Sequence, residues 1–419
     1  MTHQSQPSLA LEPHWRSGTG PCSERTGIRR SHDTQRNLTE GGEVFVAATI
    51  LLGFQDDARI DSTRKTVLPN SQPPSPDYSH VPLLANKPGE LRTGPVQCLP
   101  QVISQLGASP EQVFRTAGLD LNQFINDGEH CLNYLDIARL LSTAVQHTQC
   151  GHLGLLVGRR FTLENLGPVG QLMRFAATAQ EALHDLVTHA QLHDRGATPL
   201  LLPLSGQFSL LGYVIHQHDL ANPAPVIDTA VMIGFQILRE LLGPHWTPVR
   251  VQLAYRQPAN AAYHPKAFHC PVQFDAPVSG LVVNNQQLSR RQPSAAPRLH
   301  QLLKRAITAT TASLTTSEQV RRVLYPLLLE GQARSEQIAR RVALHERTLR
   351  RRLDLEGTHL QHLISESRRD LALQLLRHTV LPISTVAQTL QYRDPNAFSR
   401  AFRTWMGSSP QSWRNSARS

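Results

Sequence analysis

Cysteine is scarce in this chain of 419 residues, and the cysteines that are present do not form pairs. Cys22, Cys98, Cys131, Cys150 and Cys270 are odd in number and widely scattered, and no C-x-x-C motif occurs. A disulfide framework needs paired cysteines, so this distribution argues against one. We expect free, reduced thiols.

Long apolar runs are also missing. No stretch reaches 18 apolar residues, and the best candidate, Val44 to Phe54, is too short to cross a bilayer. The first thirty residues lack an apolar core and already carry Glu12 and Glu24, so they do not resemble a signal peptide. The sequence therefore predicts no membrane partner and a cytoplasmic location, at the nucleoid if the protein binds DNA.

Catalytic signatures are absent as well: G-x-S-x-G, H-E-x-x-H, the P-loop and G-x-G-x-x-G do not occur. The 20 histidines offer the one hint of a metal site. His216 and His218 fit one side of a strand, and His264, His269 and Cys270 are close in sequence. No set of three or four ligands has compact spacing, which favours scattered histidines over a metal centre. We expect no catalytic residues, no metal and no cofactor.

The chain does contain a degenerate repeat in its last ninety or so residues. Each unit shows the pattern of a short helix, a tight turn and a second helix. Ala339 recurs 48 residues later as Ala387, and Leu353 recurs 49 residues later as Phe402, so the second turn is one residue longer. This pattern is typical of a duplicated helix-turn-helix, in which the second helix of each unit enters the major groove of DNA.

The second helix of each unit carries the residue types that read DNA bases. Arginine donates two hydrogen bonds to guanine, and asparagine pairs with adenine. The alternative, a solvated basic helix pair, is disfavoured because two such helices in matching register are uncommon. We predict base contacts by Arg347, Arg350, Arg351, Asn396, Ala397 and Arg400, and phosphate contacts by Thr348, Ser399 and Arg403.

The segment between the two units is predicted to be a connecting helix. Ser365 to Arg377 contains no Gly or Pro, and the helix should end before Leu381-Pro382. A helix of about 20 residues spans roughly 30 Å, which is close to one turn of B-DNA at roughly 34 Å. One monomer is therefore able to place its two second helices in successive major grooves.

Positive charge is concentrated in the same region. Residues 331–419 contain 15 arginines, no lysine and 7 acidic residues, so they hold +8 of the formal charge of +10. Residues 1–95 carry 10 basic and 10 acidic side chains and contribute nothing. A basic region without a helical motif would indicate only nonspecific attraction to phosphates. Here the charge and the motif coincide.

The rest of the chain divides by composition. Residues 1–95 mix Ser, Thr, Gly, Pro and balanced charge, which predicts a disordered extension. Within it, the apolar run Glu43 to Phe54 is either a short element that packs against the folded part of the chain or, as we favour, an exposed apolar patch in a poorly ordered extension. Residues 289–330 are predicted to be a helical linker, with helices at Leu299 to Ala312 and Ser317 to Leu329.

Residues 96–288 show the mixed periodicity of an α+β domain. Two strands are expected around the turn at Ser205-Gly206, and another at Val249 to Tyr255. Helices are predicted at Gln97 to Leu106, at Pro110 to Ala117, at Tyr134 to Thr148, over Gln171 to Leu192 as a longer or broken pair, and at Pro225 to Leu242.

The stretch from Gly331 to Arg414 resembles the DNA-binding domain of the AraC/XylS family of transcription regulators. It departs from the family at His345, where a Ser often caps the helix, and at Gln391, where a Gly is usual. The matching motifs are Arg347-Thr348-Leu349-x-Arg351-x-Leu353, Glu366-x-x-Arg369-x-x-x-Ala372, Ile383-Ser384-x-Val386-Ala387, and Asp394-Pro395-x-Ala397-Phe398-Ser399-Arg400-Ala401-Phe402-Arg403-x-Trp405-x-Gly407-x-Ser409-Pro410.

The upstream region resembles the sensor domain of one branch of this family. The matching motifs are Ala117-Gly118-Leu119-Asp120, Gly154-Leu155-x-x-Gly158, Leu166-Gly167-x-x-Gly170, Glu181-Ala182-Leu183 and Pro271-Val272-x-Phe274. The resemblance implies an α+β sensor domain followed by an all-α DNA-binding domain at 331–416, with two helix-turn-helix units joined by a linker helix.

The resemblance also implies partners. They are double-stranded promoter DNA, a small-molecule effector, RNA polymerase and, in a homodimer, a second copy of the chain. The function it implies is that of a sequence-specific transcription regulator under effector control. An architectural or nucleoid-type DNA-binding protein, whose middle domain would only dimerise, is the alternative.

Overall fold

The computed structural model describes residues 87–126, 130–204, 206–217, 219–310 and 314–417. The apolar run Glu43 to Phe54 and most of the expected extension lie outside these residues. Within them, the strands are β1 (Glu90–Arg92), β2 (Cys131–Asn133), β3 (Ala197–Pro203), β4 (Phe208–Ile215), β5 (Arg250–Gln252), β6 (Val272–Gln273) and β7 (Ser279–Asn284).

Helices account for most of the described chain. Short 3-10 turns occur at 94–96, 163–166 and 190–192. The α-helices are α1 (Leu99–Gln105), α2 (Pro110–Ala117), α3 (Leu121–Asn126), α4 (Tyr134–Thr148), α5 (Leu153–Gly158), α6 (Gly167–Phe175), α7 (Ala179–His189), α8 (Ala224–Leu242), α9 (Tyr263–Phe268), α10 (Asn285–Leu288), α11 (Pro297–Thr310), α12 (Thr316–Leu329), α13 (Ser335–Arg341), α14 (Glu346–Leu355), α15 (Leu360–His378), α16 (Ile383–Thr389), α17 (Pro395–Met406) and α18 (Pro410–Ser416).

Several sequence predictions are confirmed at this level. The predicted bounds of α2 and α4 match the structure, and the stretch 171–192 is broken into α6 and α7. The break follows from Thr178, whose side chain accepts a hydrogen bond from the Glu181 N–H at 3.1 Å and so starts a new helix. The predicted hairpin is formed by β3 and β4, which pair antiparallel from Ala197 opposite Ile215 to Pro203 opposite Ser209.

Other predictions need correction. Residues 90–92 were expected in a disordered extension, but they form β1 and pair with β2, and Arg92 is buried. The strand expected over Val249 to Tyr255 is only three residues long. Strand β5 pairs with β7 over three residues and with β6 over two, so the ladder hydrogen bonds that define a strand do not extend further. The central strand β7 was not predicted.

The main sheet has the order β3-β4-β7-β5-β6, and it is antiparallel except between β5 and β6. Both of its faces are buried. Leu211 and Ile215 of β4 belong to the core of the sensor helices, whereas Leu210 and Val214 belong to a second core that includes Leu371 of α15. A sheet buried on both faces has strands that are almost continuously apolar, as in Leu200 to Leu202 and Leu281 to Val283.

Helix α12 belongs to a third core, shared with the first helix pair of the repeat. It contributes four of the buried side chains, so it is an integral part of this fold rather than a free connector. The core consists of Val320, Leu324, Leu327 and Leu328 of α12, Ile338 and Ala339 of α13, Leu349 and Leu353 of α14, and Leu363 and Ile364 of α15.

Helices α5 and α8 cross unusually closely because α5 carries two glycines one turn apart. A Cβ atom added at Gly154 would lie 2.3 Å from the carbonyl oxygen of Pro225, and one added at Gly158 would lie 2.6 Å from that of Thr229. Both acceptors are backbone atoms of α8. The Gly154-Leu155-x-x-Gly158 motif therefore sets the distance between these helices.

Candidate DNA-binding surface and effector pocket

Helix α14 is anchored on one side and exposed on the other. Its N-cap is His345, whose Nδ1 accepts a hydrogen bond from the Arg347 N–H at 3.3 Å, so the histidine replaces the usual serine in this role. Leu349 and Leu353 are 1% and 0% exposed in the core with α12 and α13. At 100° per residue, Arg351 lies about 180° from the midpoint between these two leucines.

Helix α17 repeats this arrangement. Its N-cap is Asp394, whose Oδ1 accepts the Ala397 N–H at 2.8 Å, and this hydrogen bond lowers the pKa of the Asp394 carboxyl. Phe398 and Phe402 are both fully buried. Arg400 therefore lies opposite the buried pair, as Arg351 does in α14.

The predicted readout residues differ in how available they are. Arg347, Arg350, Arg351, Asn396, Arg400 and Arg403 are exposed, whereas Thr348, Ala397 and Ser399 are half-buried. Among the described residues, the side chains of these five arginines make no hydrogen bond or ion pair. The Ser399 hydroxyl already donates to the Pro395 carbonyl at 2.8 Å, so a phosphate contact would require it to rotate.

The two turns are also equivalent in their backbone. Ala343 and Gln391 both have positive φ, of 55° and 61°. In each turn the next residue donates its N–H to the carbonyl of a helical alanine: Leu344 to Ala339, and Tyr392 to Ala387, both at 2.9 Å. This is a helix C-terminal motif that usually carries glycine. Gln391 thus adopts the left-handed conformation without the glycine that is usual in the family.

Replacing Ala343 by glycine is expected to stabilise the protein. The Cβ of alanine is strained at positive φ, by about 1–2 kcal/mol, and part of the gain is offset by the greater backbone entropy of glycine in the unfolded chain. We expect the free energy of unfolding in urea to rise by about 0.5–1 kcal/mol. The control is Ala339→Gly, four residues earlier and inside the helix, which should lower the free energy of unfolding. A lower free energy of unfolding in Ala343→Gly would contradict the prediction.

A second site lies in the α+β region, between the sheet and its helices. It is a cavity of about 140 Å³. Its walls come from α4, α8, β4 and β7 and are mainly aliphatic, and the 3-10 turn at 190–192 and the segment that follows it close one end. Apolar residues of the wall include Ile137, Leu141, Leu211, Ile233, Ile237 and Leu281.

The polar end of this cavity is built around Asp194. Its Oδ1 accepts the N–H groups of Gly196 and Ala197 at 2.8 and 2.9 Å, and its Oδ2 accepts the Tyr213 hydroxyl at 2.5 Å. The Tyr134 hydroxyl lies 3.3 Å from that of Tyr213. Burial raises the pKa of Asp194 to about 6, and burial also raises the pKa of both tyrosines.

Two basic side chains complete the polar end. The Arg92 Nε donates to the Leu192 carbonyl at 2.6 Å. The His193 Nε2 lies 2.6 Å from the Leu166 carbonyl, and burial lowers the pKa of this histidine to about 4, so its ring is neutral at physiological pH. No sequence signal pointed to Asp194, His193 or Tyr213, because they come together only through the sheet.

Both regions match known families. The family model described as the arabinose-binding domain of AraC transcription regulators, N-terminal, matches residues 107–292. The model described as a helix-turn-helix domain matches residues 338–416. The chain belongs to the AraC/XylS family of transcription regulators.

Relatives of this AraC-type regulator align over most of its length. The HTH-type transcriptional regulator VirS of Mycobacterium tuberculosis is 26% identical over 317 residues, which cover 75% of this chain and 93% of VirS. The ornithine utilization regulator of Pseudomonas aeruginosa is 27% identical over 326 residues, or 76% and 94% of the two chains. The crystal structure of the regulator CdpR from P. aeruginosa covers 73% of this chain and 96% of its own, at 22% identity and a TM-score of 0.36.

The histidines considered as metal ligands lie apart in this regulator. The His216 ring stacks on Tyr325 at 5.2 Å between centroids, whereas His264 lies in another buried network, with its Nε2 3.1 Å from Asp228 Oδ2 and 3.0 Å from the Tyr255 hydroxyl. His218 lies outside the described residues. Across the described part of the chain, no group of three His, Cys, Asp or Glu side chains is arranged to hold a metal, and no helix is long and apolar enough to span a bilayer.

The residue that follows α14, Glu356, forms hydrogen bonds with the first turn of α12. Glu356 accepts the N–H groups of Thr316 and Ser317 at 2.7 and 2.8 Å. Burial opposes the charge of this carboxylate, but the hydrogen bonds outweigh it and lower the pKa of Glu356. A carboxylate at a helix N-terminus also interacts favourably with the helix dipole.

Glu356→Gln should therefore lower stability at neutral pH. Because the folded pKa is lowered, the stabilisation is complete above the ordinary glutamate pKa of about 4.3 and is lost as the pH falls through the lowered value. We expect a loss of about 0.5 kcal/mol at pH 7, since solvent screens this exposed site. The difference should vanish once the pH lies below the lowered pKa of Glu356.

Urea denaturation as a function of pH measures this effect. Asp354→Asn, which removes a charge from the same helix, provides the control. An effect of Glu356→Gln that is equally large in acid would contradict a role for the charge.

Proposed function

We propose that α13–α14 and α16–α17 are two helix-turn-helix units that read an operator together. The observation that carries this proposal is the equivalent placement of Arg351 and Arg400, each exposed and opposite the buried pair of its helix. Helix α15, which joins the units, has 19 residues. Its length of about 28 Å supports binding to two successive major grooves.

The proposed roles follow from the position of each residue on its helix. Arg351 and Arg400 lie opposite the core, and Arg347 and Asn396 lie one turn before them, so these four form the centre of the proposed base-reading surface. Arg350 and Ala397 flank it, and Thr348, Ser399 and Arg403 are proposed to bind phosphates.

We further propose that the DNA-binding module begins at α12 and spans 316–416. Helix α12 shares a core with the first unit, and Arg321 of α12 forms an ion pair with Glu366 of α15 at 2.7 Å. The linker is then reduced to α11 and the segment around it. Helix α11 is itself fastened to the sensor, because His300 and Lys304 contact the buried Asp185 of α7 at 2.6 and 2.9 Å.

The cavity beside the sheet is the proposed effector site. It is enclosed mainly by apolar side chains with a small polar end, which is the usual character of small-molecule sites. The sheet separates it from α15 by the thickness of one layer. Leu211 of β4 lines the cavity, and its neighbour Leu210 packs in the core that contains Leu371 and Leu375 of α15.

Polar contacts hold α15 and the chain after it to the sensor at the same place. Gln374 donates to the carbonyls of Ile215 and Gln217, the second at 3.3 Å. The Val380 N–H donates to Asp275 at 2.8 Å. A ligand that moves β4 therefore also moves the helix that sets the spacing of α14 and α17. Such coupling is reciprocal, so operator DNA must change effector affinity by the same factor.

Footprinting with the purified full chain tests the proposal. Genomic fragments selected by the protein should show discrete protection in two segments about one helical turn apart. Broad protection that is independent of sequence would instead favour an architectural protein. Contacts with RNA polymerase and self-association, which the family resemblance implies, are further proposals, and sedimentation of the free and DNA-bound protein tests the second.

A further inference from the structure

The two helix-turn-helix units are attached to the sensor in different ways. Buried side chains of the second unit, such as Val386 and Phe398, belong to the same apolar core as Leu210 and Val214 of the sheet. The apolar core of the first unit consists of side chains from α12 to α15 and the turns between them, and among the described residues it includes none from the sensor. Apart from α15, which joins the two units, α12 is therefore the helix that connects the first unit to the sensor.

Helix α12 has two faces, and the face opposite the core of the first unit contacts the sensor. Glu318, Arg322 and Tyr325 recur at intervals of three or four residues, so they lie on this second face. The Nη2 of Arg322 donates to two carbonyls in the last turn of α7, at 2.9 and 3.1 Å. The Tyr325 ring stacks on His216. Helix α12 is thus held by the sensor along its length.

The contact at the start of α12 is an ion pair between Arg195 and Glu318. The two side chains are 16% and 22% exposed, so solvent screens this pair less than it screens a surface pair. The backbone of Arg195 is fixed, because its N–H donates to the Glu90 carbonyl at 2.8 Å and its carbonyl accepts the Gly89 N–H at 3.2 Å. The guanidinium therefore extends from a firmly held part of the sensor, directly after Asp194 of the cavity wall.

The first turn of α12 also contacts the end of α14. The Oε2 of Glu318 accepts the Thr315 N–H at 3.0 Å in the capping box that begins α12, and its Oε1 pairs with Arg195. Glu356, directly after α14, accepts two N–H groups of the same turn, at 2.7 and 2.8 Å. The position of this turn therefore affects the helix that carries Arg351.

We infer that Arg195 is a positioning residue for DNA recognition: it acts from the sensor, through Glu318 and the first turn of α12, on the orientation of α14. The inference rests on the proposed reading of an operator by two units, and it adds a sensor residue on which one of them depends. The second unit does not depend on Arg195, because its core is continuous with that of the sheet. Loss of the ion pair should therefore impair base reading by Arg351 and leave that by Arg400 unchanged.

Mobility-shift titration of the full chain with a selected operator and with random DNA tests this role. Arg195→Met removes the charge and keeps most of the apolar stem. It should weaken binding to the operator about three- to tenfold, with little change on random DNA. Arg195→Lys, which keeps the charge, should restore most of the affinity.

The partner of Arg195 is tested in the same assay. Glu318→Gln should reproduce the loss, since glutamine still serves in a capping box but no longer forms the ion pair. The double variant Arg195→Met/Glu318→Gln should bind no more weakly than either single variant, because both remove one interaction.

Combination with the recognition arginines separates positioning from a general loss of structure. In the Arg351→Ala background, Arg195→Met should lose most of its effect, whereas in the Arg400→Ala background the full loss should remain. Arg256→Met is the matched control. Arg256 is also a sensor arginine that contacts the DNA-binding module, but at the end of α15, where its Nη2 donates to the Arg377 carbonyl at 3.0 Å. Arg256→Met should show no coupling to Arg351→Ala.

The possible failures are distinct. Unchanged or tighter operator binding by Arg195→Met would overturn the inference. Equal losses in the Arg351→Ala and Arg400→Ala backgrounds, or no recovery in Arg195→Lys, would also overturn it, since they would indicate a general structural role. Equal binding of operator and random DNA by the unaltered protein would instead overturn the proposed function, and the inference with it.

Discussion

Arg351→Ala and Arg400→Ala are each expected to weaken binding to the specific operator by about 1–3 kcal/mol, or roughly 5- to 150-fold, with little change in binding to random DNA. The reason is geometric. Each guanidinium is exposed, makes no hydrogen bond or ion pair within the described residues, and lies opposite the two buried side chains that anchor its helix. In the proposed binding mode, a residue in that position faces the floor of the groove, so its truncation is expected to remove a bidentate base contact.

Mobility-shift titrations with operator and random duplexes measure the effect. Arg352→Ala is the matched control, because Arg352 is exposed on the same helix but lies to the side of the proposed reading face. Arg403→Ala should weaken binding to all sequences. It should also reduce the slope of log K against log salt concentration by about 1, the value expected for the loss of one phosphate contact. Wild-type discrimination in both Arg351→Ala and Arg400→Ala would refute the assignment.

Gly154→Ala is expected to destabilise the protein by about 2–3 kcal/mol, although alanine is the better helix former. The added carbon would lie 2.3 Å from a backbone carbonyl of α8, so the two helices must separate. Since α8 also forms a wall of the cavity, effector binding should weaken as well.

Gly234→Ala is the control, and it is expected to change the stability of the protein in the opposite direction. Its added carbon meets only side chains, at 3.5 Å, so the gain in helix propensity of up to about 1 kcal/mol should appear as increased stability. Urea denaturation of both variants gives the comparison. Equal changes in the free energy of unfolding of the two variants would show that the α5–α8 interface can accept a Cβ atom at Gly154, and would contradict the prediction.

Local sequence patterns were enough to predict many of the helices. Apolar residues repeated every three or four positions, caps such as Asn133 and Thr178, and stops such as Gly118 act within a few residues, so α2 and α4 could be bounded from the sequence alone. Strands were harder. Strand β7 is central, yet Leu281 to Val283 has no alternation, because side chains on both faces of that strand are buried.

The role of α12 could not be read from its sequence either. Its apolar face is compatible with a connector or with a core helix. Only the tertiary structure shows that this face is covered by α13, α14 and α15, and that Glu356 caps its first turn. The strained turns at Ala343 and Gln391 illustrate the same limit, since a left-handed residue without glycine gives a weak local signal.

The sequence by itself determined the repeated helix pairs, the arginines on their outer faces, the family, and thereby the function of a DNA-binding transcription regulator. These properties depend on residues within one or two helical turns of each other, where spacing alone sets the exposed face. Only the tertiary structure showed the cavity that we propose as the effector site and the sheet that connects it to α15. The cavity unites Arg92, Tyr134, Asp194 and Tyr213 from distant parts of the chain, and one doubly buried sheet joins it to α15, because long-range packing brings these elements together.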